Sequence, residues 1–422
     1  MLSRRYDVII AGAGVAGCCA AIASAEMGMR TLLIEQEACP GGVAVNCGCP
    51  SFMGFGDGQR QTVGGVGERL LRHLDAMGAI AEVNSQRRIT SHLPAGPLTG
   101  TYTTTEPQLA LCLNRMLEKA GVELSYYTVV IGVKTRKQRL DSVRCFCMGR
   151  TEDISGHAFV DTTGDAILAK LAGLPVKEGN TEESMTKTVL FKVTGVKSFD
   201  KVLLRKKFSR LCIEKKFPFP EQDLFMGCQL GNTDEILLNL SQIAGNALDR
   251  EELTRMDIAL REQVFIILKW LQENFTEFAD CRLAGIAPKI GIRAGRTIDA
   301  RTMITCTDLL QNTSVEEPVA LGRRKFGGHG IYRFRNPWEK EISGWRSIPY
   351  GALKARGADN LLAGGRAIGA ETQALSAIRM MPVCMATGHA AGVAAALSVP
   401  AGVFPPYADL RKCLLKQNAI LT

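Results

Sequence analysis

The chain has 422 residues, which at about 100–200 residues per domain suggests two or three domains, with cores that need no disulfide staples. Its composition, 46% hydrophobic, 22% charged and 6% aromatic, is that of an ordinary globular protein and excludes a disordered chain, a collagen or a small secreted scaffold. The 51 Lys and Arg against 42 Asp and Glu give a net charge of +9, which admits an anionic cofactor, substrate or partner without naming one.

No secretion signal is expected, because Arg4 and Arg5 lead into a short apolar stretch and then a glycine loop. Tyr6 to Ala11 predicts a strand, and Gly12-Ala13-Gly14-Val15-Ala16-Gly17 follows at once. A helix rich in small residues then runs from Cys18 to Met27, ended by Gly28, and a second strand, Thr31 to Ile34, ends at Glu35. This is β–turn–α–β with G-x-G-x-x-G in its required place. Gly12 permits the tight turn, Gly14 lets a pyrophosphate approach the backbone, and Gly17 lets helix and strand pack closely. The helix N-terminus offers free N–H groups and a positive dipole end to the phosphates. Glu35, with Gln36 beside it, is placed for ribose hydroxyls, and a carboxylate there disfavours the 2′-phosphate of NADP. Gly41-Gly42, six residues on, allows a second close approach to a long cofactor.

Further along, the apolar spacing predicts an amphipathic helix through Val66, Leu70, Leu74 and Met77 and another over Glu106 to Ala120. Val122 to Val133, which includes Val130, and Ser142 to Met148 read as strands. Val160 ends a strand, and Thr163-Gly164-Asp165 makes a close-approach turn at a sheet's carboxyl edge, where α/β sheets bind ligands. Asp161 and Asp165 are candidates equally for capping the helix that follows. Lys201 to Lys216 is a basic stretch that reads as a solvated face. Arg250 to Asn274 predicts a long charged helix with Ile258, Val264, Ile267 and Leu271 on its apolar side. Arg323 to Arg335 mixes charge with Phe326, Tyr332, Phe334 and His329, as a substrate-side loop or a surface would. Leu361 to Ala363 reads as a buried strand ending in Gly364-Gly365, and Pro382 leads to a helix full of Ala and Gly, Cys384 to Leu397. The N-terminal dipole of that helix could stabilise negative charge on a bound cofactor.

No run of about 18 uncharged apolar residues is read in the chain, so no membrane span is expected. No C-x-x-C pair occurs among the 14 Cys, so no metal centre is expected, and the thiols read as reduced and cytoplasmic. No nucleic-acid recognition module accompanies the charge. There is no second G-x-G-x-x-G with the right flanks, hence no separate NAD(P)H domain.

These motifs together resemble the FAD-dependent oxidoreductases of the glutathione-reductase-like structural group. More narrowly, the chain is similar to the bacterial family with a D-x-T-G-D signature, here Asp161-Thr162-Thr163-Gly164-Asp165. Gly291-Ile292-Arg293, Ile348-Pro349-Tyr350, Asn360 to Arg366 and Arg379-Met380-Met381-Pro382 to Ala391 extend the likeness. The resemblance implies an α/β fold: a Rossmann-like FAD-binding domain, discontinuous over 1–174 and 346–422, with an inserted mixed α+β substrate domain over 175–345. It implies FAD, with the segment around Gly365, Arg366, Arg379, Met380 and Met381 under the isoalloxazine. His389 stands where many relatives carry Gln, which leaves it as a packing residue. Gly41 to Cys49 is similar to the redox region of disulfide reductases, with Ala44 in place of the first redox Cys and Cys49 aligned with the second.

The chemistry expected is hydride transfer between a small, anionic or neutral organic substrate and flavin, by a dehydrogenase or an ene-type reductase. NAD(P)H or a protein electron acceptor is a candidate redox partner. Arg293 suits a carboxylate clamp or an interdomain salt bridge. Arg296 lies in the same stretch. His329 suits proton transfer, Tyr350 a hydrogen bond near flavin, and Cys49 a flavin-adjacent thiolate. The competing readings are thiol–disulfide exchange through Cys49 and an electron-transfer subunit of a larger complex.

Overall fold

A computed structural model describes residues 5–84, 88–179, 185–219, 225–322 and 344–422. Among these the chain begins with β1 (Arg5–Ala11), α1 (Val15–Glu26) and β2 (Thr31–Ile34), then a single helical turn over Val43–Asn46. Next come β3 (Ser51–Met53), α2 (Gly65–Ala76), β4 (Ala81–Val83), β5 (Arg88–Thr90), β6 (Thr101–Thr103) and α3 (Glu106–Lys119). The expected Val122–Val133 strand is broken. It forms β7 (Glu123–Ser125) and β8 (Val129–Arg136), because Tyr127 sits at φ 53° and turns the chain between them. β9 (Arg139–Cys147), β10 (Arg150–Asp161) and the short α4 (Ile167–Leu171) complete the first part.

The main sheet has the order β7-β2-β1-β10-β9-β8. β7, β2, β1 and β10 run parallel, and β9 and β8 add an antiparallel meander. Opposite β1, β10 is long enough to serve two neighbours along its other edge. Its first half pairs with β9, and Phe159 to Asp161 pair in parallel with the late strand Leu361–Ala363. The last residues of β1 and β10, Ala11 and Asp161, thus lie side by side, and both strands point their carboxyl ends to one place.

A second core is built from residues between Val189 and Ile290. It holds a four-stranded antiparallel sheet of Phe191–Thr194, Gly227–Gln229, Ile236–Leu238 and Arg282–Ile286, covered by helices Lys201–Ile213 and Arg250–Asn274. Phe208, Phe217, Phe225, Trp270, Phe275 and Phe278 stack edge to face at its centre. The long helix has the expected bounds, with Asp249 accepting from the Glu252 N–H as its N-cap. Its buried side is Met256, Leu260, Val264, Ile267, Trp270 and Leu271. Ile258, expected there, is exposed. Ala294, Ile298, Ala300, Ile304 and Val319 pack in the first core, so the second core is narrower than 175–345.

The C-terminal part returns to the first core through helices Thr372–Ile378, Met381–Ala401 and Tyr407–Lys416. Met381–Ala401 is an uncharged 21-residue run, long and apolar enough to cross a bilayer by length and composition, which corrects the expectation that no such run exists. It is a core helix here, with 83% of its most apolar stretch buried. A Cβ on Gly388 would lie 2.1 Å from the Ala16 carbonyl oxygen, and one on Gly392 would lie 2.2 Å from that of Ala20. The small face that the sequence shows is therefore the seat of α1.

Candidate active-site cleft

A cleft of about 1030 Å³ lies between the carboxyl ends of β1 and β10 and the four-stranded sheet of the second core. Its floor is the glycine turn, and the three glycines there differ in what holds them. Gly12 has φ 94°, and a Cβ on it would meet the Thr162 carbonyl oxygen at 2.6 Å. A Cβ on Gly17 would sit 1.8 Å from the Gly12 oxygen. These two are fixed by the protein's own packing. Gly14 has an ordinary φ of −62°, and a Cβ there would meet nothing within 4 Å. Its missing side chain leaves room in the cleft. Val15 and Ala16 line the cleft at the start of α1, which has no side-chain cap and no acid in its first turn, so its N–H groups face an open space suited to phosphate.

Gly41 donates its N–H to the Ala13 oxygen at 2.8 Å. Gly42, at φ 52°, lies so close that a Cβ would be 2.8 Å from the Gly14 Cα. The second glycine pair is thus seated on the first turn. Glu35 is buried beside it, its Oε2 accepting the Ala13 N–H at 2.6 Å and its Oε1 the Glu37 N–H at 3.0 Å. Burial raises its pKa while those N–H groups act against the rise. Ala13 and Gly17 shape the turn from behind. Glu35, Gln36 and Val130 border the same cleft.

The second fingerprint divides its labour. Asp161 is fully buried, and its Oδ2 accepts from Leu168 N–H at 2.8 Å and Ala169 N–H at 3.3 Å, while Oδ1 takes the Thr163 hydroxyl at 2.7 Å. It holds α4 in place. Asp165 instead pairs with Arg366 at 2.9 and 3.3 Å, tying β10's end to the turn after Leu361–Ala363. Thr163, Gly164 and Asp165 border the cleft, as do Gly365, Arg366, Arg379, Met380 and Met381. Met380 is the uncapped N-cap of the core helix, so a second positive helix end opens here.

The remaining candidates separate. Cys49 borders the cleft, but burial pushes its thiol up to about 12, which corrects the expected thiolate. All fourteen cysteines are free. Tyr350 is fully buried outside the cleft, with Lys354 Nζ 3.5 Å from its ring centroid, which corrects the expected position near flavin. Its hydroxyl has no hydrogen-bond partner among the described residues. Arg296 pairs with Glu178. His329 lies outside the described residues, with the rest of 323–343. His389 is buried, with Nε2 2.6 Å from Gln417 Oε1, and desolvation lowers its pKa to about 4. It packs rather than reacts. Arg293 lies on the cap-side wall, buried, donating to the Thr186 oxygen and to Asn239 Oδ1; no ion pair to it occurs among the described residues. The first turn of the basic stretch, Lys201 and Arg205, also reaches the cleft instead of facing solvent only.

Asn46, Asn239 and Gln242, which also border the cleft, belong to no sequence motif. Asn46 Nδ2 is buried without a hydrogen-bond partner among the described residues, so it is a donor awaiting a ligand acceptor. With the room left by Gly14 and two open helix N-termini, these residues fit a long, phosphate-bearing cofactor. No cluster of three metal-ligating side chains occurs among the described residues.

The family model for FAD dependent oxidoreductases matches residues 7–415. The chain belongs to that family. Its cofactor is FAD, and it is an enzyme with the α/β fold of FAD-binding flavoenzymes. A tRNA uridine 5-carboxymethylaminomethyl modification enzyme of Pelobacter propionicus is 34% identical over 144 residues, 31% of this chain and 22% of that one. Its counterpart from Syntrophobacter fumaroxidans is 44% identical over 76 residues, 18% and 10% of the two chains. The aligned stretches thus span less than a quarter of those relatives. The flavin-dependent brominase Bmp2 superposes with a TM-score of 0.50 at 16% identity, over 97% of this chain and 83% of that one. Its triple mutant gives 0.50 at 14% identity, over 98% and 85%. Likeness of that degree carries the fold and not the chemistry.

Proposed function

We propose that this FAD-dependent oxidoreductase transfers a hydride between flavin and a small organic substrate, as a dehydrogenase or an ene-type reductase. The observation that carries the reading is one continuous cleft with two unlike walls. One wall is glycine turns and helix N-termini, and the other is the cap sheet with Arg293. FAD would lie on the first wall and supply the hydride-accepting or hydride-donating centre. Gly14, Val15 and Ala16 would take the pyrophosphate, Glu35 and Gln36 the ribose, and Gly164, Gly365, Arg366, Met380 and Met381 the ring region, with Asn46 donating one hydrogen bond. The cap sheet would orient the substrate against that wall and exclude water from it.

This reading keeps the division into 1–174 with 346–422 and 175–345 as its working domain scheme; the core between Val189 and Ile290 supports an inserted unit, while Ala294 to Ala320 pack with the first core. Fourteen free thiols support a reducing, cytoplasmic setting. With no second dinucleotide fingerprint, NAD(P)H would serve only as a transient redox partner, and a protein electron acceptor is the other candidate. The Cys49 thiol, part-buried and pushed up to about 12 by desolvation, counts against thiol–disulfide exchange. The test is anaerobic addition of candidate alcohols, amines, saturated acids, NADH and NADPH to the purified flavoprotein. Bleaching of the oxidised flavin band by one of them, with deuterium lost from its labelled C–H, supports the reading. A flavin that reacts productively only with oxygen, giving hydroxylated or halogenated product, overturns it.

A further inference from the structure

The cap-side wall carries polar side chains whose amide oxygens accept from neighbouring protein donors. Arg293, 6% exposed, donates through Nη1 to the Thr186 carbonyl oxygen at 2.5 Å and, longer, to Thr186 Oγ1 at 3.4 Å. Through Nη2 it donates to Asn239 Oδ1 at 3.3 Å, and Thr188 Oγ1 donates to the same oxygen at 2.9 Å. Thr186 Oγ1 donates to Gln242 Oε1 at 2.7 Å. A guanidinium only donates, so its contact fixes which amide atom of Asn239 is oxygen. The Thr186 hydroxyl donates to Gln242 Oε1, which turns the Gln242 amide N–H groups away from Thr186. The amide N–H groups of Asn239 and Gln242 and the Nε–H of Arg293 are left without protein partners among the described residues. All three residues border the cleft.

Among the described residues no carboxylate pairs with the guanidinium. The group in the cleft that could ionise beside it, Cys49, is held protonated by burial. Lys187, buried behind Thr186, adds a second amine, donating to the Gly245 oxygen at 2.5 Å. A buried cation with several unmet donors is costly unless a ligand supplies the anion.

We propose that Arg293, Asn239 and Gln242 form a subsite for the carboxylate of the substrate, an inference that rests on this cleft being where substrate meets flavin. One permanent charge with two neutral amides matches a planar monoanion better than a phosphate dianion. Leu190, Met226 and Leu237 border the cleft on the same cap-side wall, which suits a hydrocarbon skeleton. The substrate class is therefore a small carboxylic acid with an apolar body. Asn239 and Gln242 set its specificity, and Arg293 supplies its charge.

The test uses the FAD-loaded protein with two redox-inert probes, benzoate and its uncharged isostere benzamide, followed by calorimetry and by perturbation of the flavin spectrum. Benzoate should bind at least tenfold more tightly than benzamide, the ratio expected when charge-assisted hydrogen bonds replace neutral ones. Arg293→Met and Gln242→Leu should each weaken benzoate about tenfold or more, with benzamide and FAD affinity changed less than about threefold. Equal affinity for the two probes in the wild-type protein overturns the proposal, whatever the variants do. So does Arg293→Met that shifts FAD affinity and the flavin spectrum but leaves benzoate binding alone, for then the guanidinium serves the cofactor. Benzoate discrimination without any hydride transfer leaves the subsite standing and removes the proposed reaction. Hydride transfer without discrimination does the reverse.

Discussion

The glycine turn separates protein-held from ligand-held positions, and Gly14→Ala against Gly17→Ala exploits the difference. At Gly17 a Cβ would lie 1.8 Å from a backbone oxygen, which no rotamer change relieves. The turn itself must move, at a cost of about 3 kcal/mol, the upper end of overpacking penalties. For 422 residues, at about 2.1 cal/mol/K per residue, that lowers Tm by about 3 °C. At Gly14 the backbone is already in a region open to Ala, and no protein atom lies within 4 Å. The lower backbone entropy of unfolded Ala and its poorer capping offset each other, so the apoprotein should melt within about 1 °C of wild type. Its cofactor affinity should fall instead. The new methyl holds a phosphate off the N–H groups of α1, and each charge-assisted bond lost is worth about 1.5–3 kcal/mol, or roughly 10- to 150-fold in Kd. Melting of the apoproteins and quenching of FAD fluorescence on titration read the two effects separately. Gly14→Ala apoprotein that melts like wild type and binds FAD within threefold of it would refute the reasoning.

Three further outcomes follow from single side chains. Tyr350→Phe removes a buried hydroxyl with no partner among the described residues and should stabilise the protein by about 1 kcal/mol, with turnover unchanged; a large loss of turnover on the same substrate would place Tyr350 in the chemistry. Cys49→Ala should leave flavin reduction rates within about twofold, and wild-type Cys49 should resist alkylation near pH 8, since its thiol is pushed up to about 12; rapid labelling read by mass spectrometry would contradict this. His389 is neutral in the fold because its pKa is depressed from 6.5 to about 4. The unfolded chain therefore binds the proton first, and stability falls as pH drops from about 6.5 to 4, by roughly 3 kcal/mol. In chemical denaturation His389→Gln should lose that slope, and parallel pH profiles for the two proteins would count against it.

The cofactor wall was legible because backbone demands leave marks in sequence. Gly12, Gly17, Gly42 and Gly365 all stand where a Cβ would strike another atom or where φ is positive. The helix Arg250–Asn274 was legible from its apolar periodicity, except that Ile258 falls off the buried stripe. Tyr127 was not: a non-glycine residue at positive φ breaks a strand without any turn signature. The cap-side wall was legible only at Arg293. Asn239 directly follows a three-residue strand, Gln242 lies four residues past its end, and Thr186 meets Arg293 from 107 positions away. Such an assembly exists only once the second core brings its edges together, so no local pattern announces it. Cys49 looked reactive by alignment, and burial, which sequence does not display, decided otherwise.

The most direct test of the two-walled cleft is a crystal structure of the FAD-loaded protein soaked with benzoate. The pyrophosphate should lie against Gly14 and the first turn of α1, the ring beside Gly365 and Met380, and the benzoate carboxylate on Arg293, Asn239 and Gln242. FAD bound with its adenine beside Met380, or benzoate seated anywhere but that wall, would contradict the account.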